Sequence, residues 1–95
     1  MIYISGKITD IDKAVQRKNL DRFFEVEQKL GERCLNPARH GDSDDRSYES
    51  YLVQDMILIF AHRPDLYMMQ GWEESRGARM EWELGHQLGL KIIYE

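Results

Sequence analysis

Residues 66–94 read LYMMQGWEESRGARMEWELGHQLGLKIIY. The stretch opens on a short apolar run, Leu66 to Met69, which predicts a strand, and closes on another, Lys91 to Tyr94, which predicts a second. Between them Gly77 to Leu88 keep helical spacing, and Gly89 stands where a helix-ending glycine belongs. Strand, helix and strand joined by such short loops make a parallel pair with a right-handed crossover. The same alternation repeats toward the N-terminus. Pro64 stops a helix predicted over Ser47 to Ala61, with Tyr48, Tyr51, Leu52, Met56 and Ile59 on one face. Arg33-Cys34-Leu35 is a minimal strand ended by Asn36-Pro37. Asp10 to Leu30 place Ile11, Ala14, Val15, Leu20, Phe23, Phe24 and Leu30 at helical spacing, with Thr9 or Asp10 as cap and Gly31 behind. Ile2-Tyr3-Ile4 is the first strand, stopping at Ser5-Gly6. The order β-α-β-α-β-α-β predicts one α/β domain over residues 1–95. Its expected form is a three-layer sandwich around a four-stranded parallel, doubly wound sheet, flavodoxin-like or Rossmann-like. In such sheets ligands bind outside the carboxyl ends of the strands, which directs attention to the loops after Ile4, Leu35 and Met69.

Composition narrows the function. Hydrophobic residues at 42% and charged residues at 32% describe a globular chain rather than a disordered one. No apolar run reaches the roughly 20 residues needed to span a membrane, and the opening MIYISGKITD lacks the features of a signal peptide. Cys34 is the one cysteine and has no internal disulfide partner, so a cytoplasmic location is expected. Thirteen Lys and Arg against seventeen Asp and Glu give a net charge of −4, which argues against binding nucleic-acid polymers. His40, His62 and His86 share no metal-ligand spacing, and no metal or organic cofactor is expected. A chain this short buries a small share of its surface, which favours a homodimer or higher homo-oligomer.

Two carboxylates occupy positions where helical periodicity calls for apolar residues. On the second helix the inward stripe runs Tyr48, Leu52, Asp55, Ile59; on the third it runs Ala78, Glu81, Gly85, Leu88. An unpaired buried carboxylate costs several kcal/mol, so each needs a partner or a ligand. A rim position or a satisfied core ion pair is one reading. The other is a cleft in which two carboxylates serve as nucleophile and general acid. Ser75 and Gly77 at the start of the third helix are either an N-cap and a turn residue or part of an anion site. Ser5-Gly6-Lys7 after the first strand is a second possible phosphate cradle, although the P-loop spacing is absent. Tyr3 carries a hydroxyl that needs a partner on whichever sheet face it enters. Trp72 and Trp82 fit packing or the stacking of a base.

The opening Ile2-Tyr3-Ile4-Ser5-Gly6, the pairs Asn36-Pro37 and Gln54-Asp55, and the run SRGARMEWELGHQLGLKII resemble the nucleoside 2-deoxyribosyltransferase-like superfamily. The nearest likeness is to its small DUF4406-type branch, frequent in bacterial and phage genomes, and it extends over almost the whole chain. The superfamily cleaves the N-glycosidic bond of deoxynucleosides or their 5′-monophosphates. The resemblance implies that Glu81 is the catalytic glutamate, that Asp55 protonates the leaving base and that Tyr3 orients the glutamate. It further implies that Ser5, Gly6, Lys7, Asn36, Ser75 and Gly77 bind the substrate. Transferases of the superfamily carry aspartate where this chain has Ser75, whereas the monophosphate N-glycosidases carry serine there, which favours a nucleotide over a free nucleoside. Lys7 and Glu83 depart from the pattern. Lys7 either strengthens phosphate binding or fills the pocket, and Glu83 is expected to add a charge near the site. Characterised members are longer, with a fifth strand and a further helix, so the fourth strand here is expected to be an edge that must be paired, covered or charged. A nucleotide-binding module without catalysis, a sensor or a sponge, is the alternative reading.

Overall fold

A computed structural model describes residues 1–31, 33–40 and 48–95. Strands β1 (Ile2–Ser5), β2 (Cys34–Leu35), β3 (Asp65–Met68) and β4 (Ile92–Tyr94) alternate with helices α1 (Lys13–Leu30), α2 (Tyr48–His62) and α3 (Arg76–Gln87). Short 3-10 turns cover Pro37–His40 and Trp72–Glu74. All pairings are parallel and the strand order is β2-β1-β3-β4. This is the α/β, flavodoxin-like or Rossmann-like arrangement expected from the alternation. Strand order reverses between β1 and β3, so the crevice beyond their carboxyl ends is where a ligand belongs.

Alternation along β1 sends its residues to two cores. Ile2 and Ile4 pack with Phe23, Val26, Tyr67 and Met69 on the α1 side. Tyr3 packs with Ile59, Leu66, Met68 and Ala78 on the side of α2 and α3. The α3 side is close-packed because Gly85 lets the helix backbone approach β3: a Cβ there would stand 3.2 Å from Leu66 Cγ. Gly6 does the same after β1, where a Cβ would stand 3.0 Å from Met69 Cβ.

Several boundaries differ from the sequence reading. α1 starts at Lys13, because the Asp12 carboxylate, not Thr9 or Asp10, accepts from the backbone N–H of Ala14 and Val15. Asp10 instead accepts from the N–H of Asp12, and Ile11 is left fully exposed before the helix. Gly31 ends α1 in the left-handed region at φ 63°, as the glycine signal indicates. β3 begins one residue early because the Asp65 N–H donates to the Met1 carbonyl. The polar stretch after His40, Ser47 and the side chain of Tyr48 lie outside the described residues. No described helix is long and apolar enough to cross a membrane.

Candidate active site

β1 and α3 build the site together. The two-residue period of β1 puts Tyr3 and Ser5 on the same sheet face, one pleat apart. The stripe Ala78, Glu81, Gly85 turns toward that face from α3, and all three residues are buried. The Tyr3 hydroxyl donates to Glu81 Oε2 at 2.6 Å, and the Ser5 hydroxyl donates to Glu81 Oε1 at 2.7 Å. Each carboxylate oxygen therefore holds one short bond to a hydroxyl, which fixes the plane of the carboxylate. Tyr3 is 1%, Ser5 0%, Glu81 6% and Asp55 7% exposed, so all four side chains are shielded from bulk water.

Charge sets the chemistry. Burial pushes Glu81 up to about 7; the two hydroxyl bonds pull the other way, and the negative charge of Asp55 adds to the rise. The Tyr3 hydroxyl is held well above its ordinary value, first by burial and then by the charges of Glu81 and Asp55, both of which also engage it by hydrogen bonding. Asp55 reaches this centre from α2, in the stripe that buries Leu52 and Ile59. The two carboxylates on inward stripes thus converge on one phenol.

The other expected residues divide. Ser75 caps α3, its hydroxyl accepting from the Ala78 N–H at 3.2 Å, and Gly77 is buried in the same first turn. Ser75 lies six positions before Glu81, roughly 9 Å along the helix axis. Ser5 does not face outward as a phosphate cradle: its hydroxyl is buried on Glu81. The signal was present in its spacing from Tyr3, since residues two apart on a strand share a face. Asn36 is tied into the fold: its amide donates to Glu27 Oε2 at 2.8 Å and its side-chain oxygen accepts from the Ala38 N–H at 2.9 Å. Lys7 pairs with Asp10 at 3.6 Å. It lines a cavity of about 220 Å³ with Asn19, Arg22, Gln70 and Glu74, and Tyr3, Ser5 and Glu81 do not line that cavity. Glu83 does not crowd the site. Two positions along a helix is a turn of about 200°, which carries it to the exposed side, where it accepts from Gln87 at 3.0 Å.

The two tryptophans stack on each other with centroids 5.8 Å apart, and the Trp82 indole N–H donates to the Tyr94 hydroxyl at 2.8 Å. Their faces are used in packing α3 against β4. Among the described residues no three His, Cys, Asp or Glu side chains stand together as metal ligands.

A parallel α/β domain with paired, shielded carboxylates beside its topological switch point is the class of protein these features define. The chain belongs to the DUF4406 family, described as a domain of unknown function, which it matches over residues 1–94. No curated protein and no solved structure matches it.

Proposed function

We propose that the protein cleaves the N-glycosidic bond of a nucleoside or deoxynucleoside 5′-monophosphate, by hydrolysis or by base transfer. One observation carries the reading: a buried glutamate held on both oxygens by hydroxyls, with a second carboxylate at the same phenol. A carboxylate fixed in this way suits an oxocarbenium-like centre, as a covalent nucleophile or by electrostatic stabilisation. In this reading Asp55 is the general acid and takes up a proton before the base departs. That proton is the one delivered, directly or through water, to the departing base.

The N-terminus of α3 supplies the anion end. Ser75 is half-buried and caps the first turn of a helix whose dipole favours negative charge at that end. A 5′-phosphate placed at that end brings the sugar along the helix toward Glu81, and such anchoring supplies orientation worth several kcal/mol of barrier. Gly6, after β1, lies against Met69, and Lys7 turns to the neighbouring cavity with Asn19 and Arg22 rather than to this crevice. Neither step requires a metal or an organic cofactor. Water as acceptor gives hydrolysis; a second base gives transfer.

The test is release of free base from a panel of nucleoside and deoxynucleoside 5′-monophosphates, followed by chromatography. Wild type releases base, and Glu81→Gln falls by 100-fold or more while keeping its fold. Wild-type turnover in Glu81→Gln refutes the assignment. The second reading, a nucleotide-binding module, is favoured by the closure of Glu81 behind the Tyr3 and Ser5 hydroxyls, which already engage both of its oxygens. Saturable binding by calorimetry without any base release selects it.

A further inference from the structure

The carboxylate at the centre of the site is shut. Both oxygens of Glu81 accept from a hydroxyl, and neither the cavity beside Lys7 nor the one beside Trp72 and Tyr94 is lined by Ser5 or Glu81. A substrate must therefore displace something to reach it. The two hydroxyls are not equally free to move. The Tyr3 ring packs among Ile59, Leu66, Met68 and Ala78, and its hydroxyl also engages Asp55, so turning it out would disrupt the core. Ser5 needs only a turn about its one side-chain bond, which has three staggered wells. Its backbone stays in place: Ser5 pairs with Met68, and its carbonyl accepts from the Met69 N–H at 2.8 Å. Position separates the two as well. Ser5 is the last residue of β1, at the carboxyl end where the crevice lies. Tyr3 sits two residues back, roughly 6–7 Å deeper. Oε1, held by Ser5, thus looks toward the crevice, and Oε2, held by Tyr3, toward the core.

We propose that Ser5 is a clasp on the reacting atom: Glu81 reacts through Oε1, and a substrate entering from the crevice turns the Ser5 hydroxyl onto itself and takes its place at that oxygen. The proposal rests on the glycosidic reading for its chemistry and adds to it which oxygen reacts and what keeps it closed. A buried hydroxyl needs a partner wherever it turns. Glu81 is that partner in the closed form, and the polar atoms of a substrate are the alternative, so binding and opening are coupled. Closure lowers the apparent affinity in proportion to the fraction of molecules that are open, and removing the clasp removes that reduction. Tyr3 stays on Oε2 throughout and keeps the carboxylate plane fixed while Oε1 is exchanged.

Carboxyl labelling reads the clasp without any substrate. The protein is treated with a water-soluble carbodiimide and an amine, digested with trypsin and analysed by mass spectrometry. Cleavage after Arg79 and Lys91 puts Glu81 and exposed Glu83 on one peptide, so Glu83 is the internal reference. Ser5→Ala is expected to raise labelling of Glu81 relative to Glu83 by about tenfold or more, with circular dichroism unchanged. Ser5→Cys, which keeps a side chain of similar shape and donates weakly, is expected between Ser5→Ala and wild type. Tyr3→Phe leaves the Ser5 bond in place and is expected to stay near wild type. Folded Ser5 variants that label no faster than wild type overturn the proposal, and so does a Tyr3→Phe that labels as fast as Ser5→Ala. In the base-release assay at about pH 9, above the Glu81 titration, Ser5→Ala is expected to lower KM several-fold. An unchanged KM with kcat reduced about 100-fold overturns the proposal, because Ser5 would then act in the transition state. Ser5 variants that label as expected while the wild type releases no base refute the glycosidic reading and uphold the clasp.

Discussion

At the scale of single residues, Glu81 governs both chemistry and stability. Its native value near 7 lies above its ordinary 4.5, so the native state holds the proton more tightly than the unfolded chain. The contribution to stability is therefore complete below about pH 4.5 and is lost as pH rises through about 7. Glu81→Gln removes that loss. The variant is expected to be more stable than wild type at pH 8 by on the order of 1–3 kcal/mol, with a Tm rise of about 4–8 °C per kcal/mol, and to match it more closely at pH 5. Thermal melts at the two pH values check this, and a Gln variant less stable at pH 8 would contradict it. The neighbours act in opposite directions. Tyr3→Phe deletes a bond that stabilises the ionised form and raises the Glu81 titration, whereas Asp55→Asn deletes a repelling charge and lowers it. Carbon-13 NMR of the Glu81 carboxyl distinguishes the two shifts; shifts of the same sign would show that the causes are misassigned.

At the scale of elements, α3 carries the most. Gly85→Ala would drive a methyl group into Leu66, which is fully buried on β3. Overpacking of this kind costs about 1–3 kcal/mol, more than the helix propensity gained from alanine. Urea denaturation should show the loss, and an unchanged midpoint would mean that α3 sits further from the sheet. Ser75→Asp preserves the helix cap, so stability should stay within about 0.5 kcal/mol. The added charge should repel a 5′-phosphate and move preference from nucleotide to free nucleoside. Retained preference for the monophosphate in a competition assay would remove Ser75 from the anion site. The elements themselves were legible because periodicity and glycine punctuation agree, as at Gly31 and Gly89. The start of α1 was less so: Asp10 and Asp12 are equally good caps by composition, and only the hydrogen-bond geometry chooses Asp12. The inward carboxylates were legible because a charge inside an apolar stripe is conspicuous. The engagement of Asn36 with Glu27 was not, since a contact between residues nine apart on different elements leaves no local pattern.

At the scale of the whole molecule, strand order makes the site. Placing β1 between β2 and β3 leaves the Tyr3 and Ser5 face under α2 and α3, so two helices from different crossovers each bring a carboxylate to the same phenol. The alternating order predicts this sheet. It does not predict that Lys7 would turn instead to a separate cavity with Asn19 and Arg22, because the path of the loop after β1 is set by Gly6 approaching Met69. The most direct measurement is a crystal structure of the protein with a nucleoside 5′-monophosphate. The account predicts the anomeric carbon about 3–3.5 Å from a Glu81 carboxylate oxygen, the distance of a near-attack geometry, with the phosphate at the Ser75 end of α3. A nucleotide seated in the cavity beside Lys7 and Arg22, with Glu81 still closed off behind Tyr3 and Ser5, would contradict it.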